Sequence, residues 1–288
     1  MPFSHRLACD IPVSLTRHVD VIGDVAVVAL PPGTEKYGES VVAAIRARRP
    51  HIHTVLAKIS RVTGERRIAR YEVLAGGDTR TIHREYGFMY RLDVGSVFFT
   101  PRLASERQRV TSQVVPGERV LVPFAGAGPF VIPAAFRGAD VVAIEKNADA
   151  CRYLRENTRL NGVEGAVSVL RADVRDCIAI LGKNPPFDRA IVPTPYGWDE
   201  SPVSIAPLIR AEGMLHFYTF APRRDVASAC ENLCRAGFSV VSCRRCGHVA
   251  PGVSRWVFDL SVPPLSRLSS GRAEVISPVH RPYMQESV

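Results

Sequence analysis

The chain has 288 residues, of which 46% are hydrophobic and 23% are charged. This composition is typical of a folded globular protein, and the length is sufficient for one large or two modest domains, which excludes a disordered chain, a collagen and a small disulfide-stapled scaffold. Lysine and arginine total 37 against 28 acidic residues, a net charge of +9, and only four of the 37 are lysine. The basic charge and the preference for arginine favour a nucleic-acid partner, although a GC-rich genome would also write arginine in place of lysine.

No membrane span or secretory leader is expected, because the longest apolar runs, such as residues 141–144, are far too short. Seven cysteines, an odd number, indicate reduced thiols in the cytoplasm. Cys230, Cys234, Cys243 and Cys246 have a spacing compatible with zinc. The first two fall in a predicted helix and the last two end a predicted strand, so no metal site is expected.

Residues 1–95 are predicted to form a small α+β domain that binds tRNA and positions the substrate. Short alternating strands are indicated by VDVIGDVAVVAL and HTVLAKISRVT, followed by strands in RYEVLAG and GFMYRLDVG. One helix is predicted from Glu39 to Arg48, where Pro50 ends the helical pattern.

Residues 96–264 alternate strands and helices, which predicts an α/β domain with a mostly parallel, Rossmann-like sheet. Strands are indicated by ERVLVPFAG, DVVAIE, AVSVLRAD and DRAIVPT, with helices in PAAFRG, in DACRYLRENTRLNG and from Arg175 to Leu181. Later strands lie in EGMLHFYTFA, FSVVSC and SRWVFDLSV, the last two antiparallel. Residues 265–288 are a polar, proline-bearing C-terminal tail, expected to be weakly ordered.

A glycine-containing loop, PFAGAGPF, follows the first strand of this domain. Gly126 and Gly128 permit a tight turn and close approach of the backbone to a ligand. Glu145 ends the second strand, 17 residues after Gly128, and can accept hydrogen bonds from a ribose diol; Asp173 ends the third strand, where it can reach an adenine. The alternative is that Glu145 and Asp173 only cap helices.

The segments TGERR, LAGGDTRTIHREYG, FFTPRLASERQRV and FAGAGPFVIPAA carry a more specific signal. With them, residues 17–262 resemble the archaeal and eukaryotic tRNA (guanine-37 N1)-methyltransferase family, which includes the related wybutosine-pathway aminocarboxypropyl transferases. HREYG and PRLASER are specific to this group. The resemblance implies a class I methyltransferase fold, S-adenosylmethionine as cofactor and the anticodon loop of tRNA as substrate.

The resemblance also implies roles for individual residues. Glu106 matches the acid that takes the proton from guanine N1. Arg67 matches a basic residue that stabilises charge on guanine O6. Without the resemblance, Arg67 would be interpreted as a solvated surface charge. RNA contacts are expected from Arg84, Arg102, Arg107 and Tyr196. The cofactor-binding residues are expected to be Phe124, Ala125, Gly126, Gly128, Pro129, Phe130, Glu145, Asp173 and Val174.

Three departures from the family pattern concern function. Pro123 stands where members carry an acid that helps to hold the methionine part of the cofactor. Pro193 stands where the methyltransferases carry an asparagine on the target base, although Tyr196 could stack on a base instead. The small N-terminal domain with which many members grip tRNA is expected to be missing. NPPF at residues 184–187 resembles an amino-methylating motif but is interpreted as the turn into a strand.

Three functions therefore remain open from the sequence. The first is N1-methylation of guanine at or near position 37 by a cytoplasmic monomer. The second is aminocarboxypropyl transfer to a guanine-derived base in the same loop. The third is a non-catalytic RNA-binding paralogue, for which Pro123 and Pro193 are the evidence.

Overall fold

The computed structural model describes residues 15–16, 19–31, 33–59, 69–195 and 202–268. It divides into two compact units. The first comprises Met1–Ala104, Gly126–Gly128 and Asn147–Gly162, and the second comprises Ser105–Ala125, Pro129–Lys146 and Val163–Val288. The predicted site residues Arg67 and Tyr196, and the tail from residue 269, lie outside the described residues.

The first unit contains a four-stranded sheet in the order β1-β2-β3-β4. The strands are β1 (Val19–Ile22), β2 (Val25–Ala29), β3 (Thr54–Lys58) and β4 (Tyr71–Ala75). Helix α1 (Gly38–Arg48) joins the parallel strands β2 and β3. Val41 and Ile45 on one face of α1 pack into a core with Ala26, Val28 and Val55. The helix predicted from Glu39 to Arg48 is confirmed, with one further residue at its start.

A two-stranded hairpin, β5 (Arg80–Glu85) and β6 (Phe88–Asp93), completes the strands of the described part of this unit. Its β5 strand supports the β1–β2 turn, because the Gly23 N–H donates to Nδ1 of His83 (3.3 Å) and the Asp24 N–H donates to Oγ1 of Thr81 (3.1 Å). Gly23 has a φ of +58°, and a Cβ there would collide with Thr81. Strand β5 was missed from the sequence, because polar side chains occupy most of its length.

Helix α4 (Ala148–Leu160) is fastened to β6 by two asparagines, one of which lies just after the helix. The Asn157 side chain accepts from the Arg91 N–H (2.7 Å) and donates to the Arg91 carbonyl (2.9 Å). Asn161 makes the same pair of hydrogen bonds to the backbone of Met89 (2.9 and 2.7 Å). Their side-chain amides therefore satisfy backbone groups of β6 that a neighbouring strand would otherwise bond.

The second unit is built on a seven-stranded sheet in the order β12-β13-β11-β10-β7-β8-β9. Its strands are β7 (Arg119–Pro123), β8 (Asp140–Glu145), β9 (Val167–Arg171), β10 (Phe187–Val192), β11 (Ile209–Ala221), β12 (Ser239–Ala250) and β13 (Val253–Ser261). The remaining helices are α2 (Ala104–Thr111), α3 (Val131–Phe136), α5 (Val174–Leu181) and α6 (Val226–Arg235).

The sheet is parallel from β9 through β8, β7 and β10 to β11, and antiparallel at β13 and β12. The predicted mostly parallel α/β fold is thus confirmed, as are the antiparallel last strands. Because the chain builds outward from β7 to β9 and then returns to β10 on the other side of β7, a topological switch point lies between β7 and β10. In sheets of this kind ligands bind at the carboxyl ends of the strands near the switch point.

Two local predictions, for the NPPF segment and for the strand that contains Cys243 and Cys246, can be compared with this unit. Residues 184–186 lead directly into β10, which begins at Phe187, as the interpretation of NPPF expects. The prediction that Cys243 and Cys246 end a strand is wrong, because β12 continues to Ala250 and both lie within it. The pairing of β12 with β13 shifts register between Arg245 and Gly247, and this irregularity breaks the alternation in the sequence.

Seven short 3₁₀ segments punctuate the described chain: Glu35–Tyr37, Pro101–Leu103, Glu164–Ala166, Pro202–Ser204, Ala206–Leu208, Arg223–Asp225 and Leu265–Arg267. Among the described helices none has the length and apolar character needed to cross a bilayer.

Candidate active site

The loop after β7 has an unusual backbone. Phe124 has a φ of 56°, a left-handed conformation that is uncommon for a residue with a Cβ, and Gly126 and Gly128 have φ values of 56° and 96°. The Ala125 N–H donates to the Ile144 carbonyl of the neighbouring strand at 3.0 Å, which fixes the start of the loop. A Cβ at Gly126 would meet no heavy atom closer than 3.9 Å, so the space beside this backbone is open.

The loop ends at Pro129, which is half-buried, and Phe130, which is 3% exposed. Phe130 packs against Tyr218 of β11 with 5.6 Å between ring centroids. Its role in the structure is therefore to anchor the start of α3 against the sheet.

Two acidic residues follow the carboxyl ends of the next two strands, at the same edge of the sheet as Phe124. Glu145 is the last residue of β8 and pairs in register with Arg171 of β9. Asp173 caps α5 through its Oδ1, which accepts from the Arg175 N–H at 3.1 Å, and its Oδ2 lies 3.5 Å from Nζ of Lys146. Asp173 therefore caps a helix, as the alternative interpretation expects, and it also lies close to Lys146. The side chain of the neighbouring Val174 is buried.

Glu106 lies on α2, is 8% exposed and accepts hydrogen bonds on both carboxylate oxygens. Oε1 accepts from the Tyr218 hydroxyl (2.9 Å) and from Nη2 of Arg109 (2.7 Å), and Oε2 accepts from Nε of Arg109 (2.9 Å). These three donors come from two side chains and fix the plane of the carboxylate.

Arg109 also binds Asp259 on β13, at 2.7 and 3.1 Å. Burial opposes the charge of Arg109, but hydrogen bonds to Glu106 and Asp259 outweigh it and raise the pKa of the guanidinium. Burial would likewise raise the pKa of Asp259. Hydrogen bonds from His216, Arg109 and Ser242 reverse this effect and hold that pKa well below its usual range.

His216 on β11 is fully buried between Asp259 and Arg189. Its Nδ1 lies 2.6 Å from Oδ1 of Asp259, and its Nε2 lies 2.7 Å from Nη1 of Arg189. Because a guanidinium can only donate, Nε2 accepts and the ring proton sits on Nδ1, facing Asp259. Burial lowers the pKa of His216, which keeps the ring neutral near pH 7.

These groups form one buried ionic network across α2, the segment before β7, and strands β10, β11 and β13. Its members are Glu106, Arg109, Asp259, His216, Arg189 and Glu118, the last of which accepts from Nε and Nη2 of Arg189 at 2.8 and 2.9 Å. Sequence reasoning singled out only Glu106. The available signal was single polar residues within apolar strands, as in GMLHFYTF and WVFDLSV.

The described members of the predicted RNA-binding set fall in both units. In the first unit, Arg84 is exposed and helps to line a groove of about 880 Å³, and Arg102 donates from Nε to Oδ1 of Asp20 at 2.6 Å. Arg107, in the second unit, is only 2% exposed.

The two prolines that depart from the family pattern lie at strand ends. Pro123 is the buried last residue of β7 and pairs in register with Ile144. Pro193 follows β10, and the N–H of the next residue, Thr194, bonds the Val192 carbonyl at 2.8 Å.

Family models match most of the chain. The model described as TRM5/TYW2 methyltransferase domain matches residues 81–237, and the model described as TYW2 N-terminal domain matches residues 5–79. The chain is 35% identical over 229 residues to tRNA (guanine(37)-N(1))-methyltransferase Trm5b of Pyrococcus abyssi, covering 78% of this chain and 67% of that protein. It is 40% identical over 156 residues to the tRNA(Phe) (4-demethylwyosine(37)-C(7)) aminocarboxypropyltransferase of Pyrococcus horikoshii, covering 54% of this chain and 55% of that protein.

Solved structures of Trm5 and TYW2 proteins also superpose on this chain. The crystal structure of Trm5b from Pyrococcus abyssi superposes with a TM-score of 0.78 at 31% identity, covering 91% of this chain and 81% of that one. A complex of aTrm5 with tRNALeu superposes at 0.74 and 25% identity, covering 86% and 72%. TYW2 of P. horikoshii in complex with MeSAdo superposes at 0.66 and 28% identity, covering 88% and 96%.

Proposed function

Because the chain belongs to the TRM5/TYW2 methyltransferase family, we propose that it uses S-adenosylmethionine to methylate N1 of guanine 37 in tRNA. The observation that carries the proposal is the carboxylate of Glu106, shielded from water and oriented by Arg109 and Tyr218. Guanine N1 carries a hydrogen, so a base must remove it before the nitrogen can form a new bond. Glu106 is a side chain suited to that task.

The proton moves from guanine N1 to a carboxylate oxygen of Glu106. Arg109 binds both oxygens and Tyr218 binds one of them, so the carboxylate cannot rotate freely. In this proposal Arg67 stabilises the charge that develops on guanine O6.

The residues proposed to bind the cofactor suit its adenosine part. Glu145 accepts hydrogen bonds from the ribose diol, and Asp173 and Val174 contact the adenine, at the strand ends where such sheets bind ligands. The loop Phe124, Ala125, Gly126, Gly128, Pro129 and Phe130 offers backbone groups, and the open space beside Gly126 leaves room for a ligand. When bound, S-adenosylmethionine supplies an electrophilic methyl group.

The RNA partner is proposed to be the anticodon loop of tRNA, because guanine N1 is accessible only in an unpaired or flipped base. Arg84, Arg102, Arg107 and Tyr196 are the proposed contacts. Guanidinium groups bind phosphate, and Tyr196 can stack on a base where the family pattern has asparagine at Pro193. The enzyme is proposed to act in the cytoplasm as a monomer.

A second candidate is aminocarboxypropyl transfer to a guanine-derived base at the same position. It is favoured by the match of residues 5–79 to the TYW2 N-terminal domain and by the 40% identity to the P. horikoshii aminocarboxypropyltransferase. The two reactions use the same cofactor and differ in which carbon bonded to sulfur faces the nucleophile. Loss of activity remains the third candidate, on the evidence of Pro123 and Pro193.

A transfer assay with two labels separates these candidates. The protein is incubated with total tRNA from a strain that lacks its gene, once with S-adenosylmethionine labelled in the methyl group and once with label in the carboxypropyl arm. Methyl label in tRNA, mapped to guanine 37 by nuclease digestion, is the expected result. Carboxypropyl label would establish the second candidate, and tRNA binding without either label would establish the third.

A further inference from the structure

Arg255, on β13, is a half-buried arginine without an anionic partner. Within the part of the chain that the structure describes, its guanidinium makes no hydrogen bond or ion pair. It lies instead over the ring of Phe220, 4.9 Å from the ring centroid. Burial lowers the pKa of Arg255, because removing a charged guanidinium from water costs free energy.

Arg255 lies at the edge of the sheet where the parallel strands have their carboxyl ends. Arg255 pairs in register with Phe220 near the carboxyl end of β11, which runs parallel to β10. Tyr218 lies two residues earlier on β11, on the same face as Phe220, and donates to Glu106. The cation over Phe220 is therefore about 7 Å along the strand from the tyrosine that orients the proposed proton acceptor.

The ionisable groups around Arg255 do not neutralise it. Arg107, itself 2% exposed, is a second cation whose charge contributes to the lowered pKa of Arg255. Burial raises the pKa of the Cys246 thiol to about 12 and raises that of Tyr218, so both are uncharged near pH 7. Glu106 is bound by Arg109. A half-buried guanidinium that no described acidic group neutralises favours an anion from outside the chain.

We propose that Arg255, stacked on Phe220, binds a backbone phosphate of the RNA substrate beside the target nucleotide. A guanidinium presents a planar fork of N–H donors that matches two phosphate oxygens, and stacking on a ring fixes the plane of that fork. This inference rests on the proposed function, because it takes RNA as the substrate.

The test compares R255Q, R255K and a control, R235Q, for binding to a tRNA transcript with guanine at position 37. Arg235 is an exposed arginine on α6, which packs against the other face of the sheet through Ala229 and Leu233. R255Q is expected to bind the transcript roughly tenfold to a hundredfold more weakly, the usual effect of losing a charged hydrogen bond. R255K keeps the charge without the fork and is expected to bind with intermediate affinity, whereas R235Q binds like the parent.

The salt dependence supplies a readout that a structural role would not change. The plot of log binding constant against log salt concentration should become shallower by about 0.7–0.9 in R255Q, the contribution of one phosphate, and keep its slope in R235Q. Thermal unfolding of each variant checks that it folds. If R255Q unfolds at a lower temperature than the parent, R255M replaces it in the same series, because the methionine keeps an aliphatic chain packed on Phe220.

Three results would overturn the inference. Unchanged affinity and slope in R255Q would remove Arg255 from the RNA site. Weaker binding of S-adenosylmethionine with unchanged RNA binding would assign the cation to the carboxylate of the cofactor. Failure of the parent protein to bind the transcript would refute both this inference and the proposed function. A parent that binds tRNA but transfers no methyl group, with the R255Q effect intact, would refute only the proposed methylation.

Discussion

The carboxylate of Glu106 is held by groups from two different elements. Arg109 lies one turn further along the same helix, and Tyr218 comes from β11. Asp259 holds Arg109 from its other side, so the orientation of Glu106 depends on residues far away in the chain. Asp259 and Tyr218 act on the proposed chemistry as positioning residues.

Substitution of Glu106 tests the proposed proton transfer. E106Q keeps the shape of the side chain but cannot accept the proton, so the single-turnover rate of methyl transfer is expected to fall by roughly a hundredfold or more. The affinity for S-adenosylmethionine should remain that of the parent. E164Q, at an exposed glutamate in a surface turn, serves as the control. An unchanged rate in E106Q would exclude Glu106 as the base.

Glu145 tests the proposed ribose contact. E145A is expected to weaken S-adenosylmethionine binding by roughly tenfold, because the diol loses a charged acceptor, while the affinity for tRNA stays constant. D140A is the matched control, since Asp140 is an exposed residue at the opposite end of the same strand. Isothermal titration measures both affinities. Equal loss of cofactor and tRNA binding in E145A would indicate misfolding and contradict a specific cofactor contact.

At the scale of elements, the buried ionic network ties α2 to three strands of the sheet through charge-assisted hydrogen bonds. Every oxygen of Asp259 is used, by His216, Arg109 and Ser242. Removing one partner of such a network leaves the other charges buried, and typically destabilises a protein by about 3–5 kcal/mol. The network is therefore a strong determinant of where α2 sits on this sheet.

The network makes stability sensitive to acid in two steps. Burial lowers the pKa of His216, so below about pH 6.5 the unfolded chain takes up a proton that the folded chain refuses, and the free energy of unfolding falls. The pKa of Asp259 is also held low, so the same loss recurs below about pH 4.

Urea unfolding followed by tryptophan fluorescence at pH 8, 6, 5, 4 and 3 measures both steps. H216Q is expected to be less stable at pH 8 and to lack the first step. H51Q, at an exposed histidine of the first unit, should retain it. A parent protein with constant stability from pH 8 to pH 5 would show that His216 accepts a proton in the folded state.

At the scale of the whole molecule, the net charge of +9 and the arginines at the groove of the first unit suit a polyanionic partner. Affinity for tRNA is expected to fall at least tenfold between 50 mM and 200 mM salt, because each bound phosphate releases counterions. The double variant R84Q/R91Q removes two exposed groove arginines and should give a shallower slope than the parent. A binding constant independent of salt would contradict an interface dominated by phosphate contacts.

The sequence by itself determined the order and type of most elements and the family. Helix α1 and the alternation of strands and helices from β7 to β10 follow from local periodicity, which a parallel sheet and its helices impose on consecutive residues. The motifs HREYG and PRLASER are likewise local strings. They indicated the family before any geometry was known, and they drew attention to Glu106.

Only the tertiary structure decided which polar residues meet. Arg109 and Asp259 are 150 residues apart in the chain, and Arg255 reaches Phe220 only through the register of β11 with β13. Strand β5 is too polar for its pattern to indicate a strand, and it exists because β6 pairs with it. Register and strand order are properties of the folded sheet, because a shift of one residue would turn each side chain to the other face. The partners of Glu106 and the stacked position of Arg255 are for that reason not encoded in any local stretch of sequence.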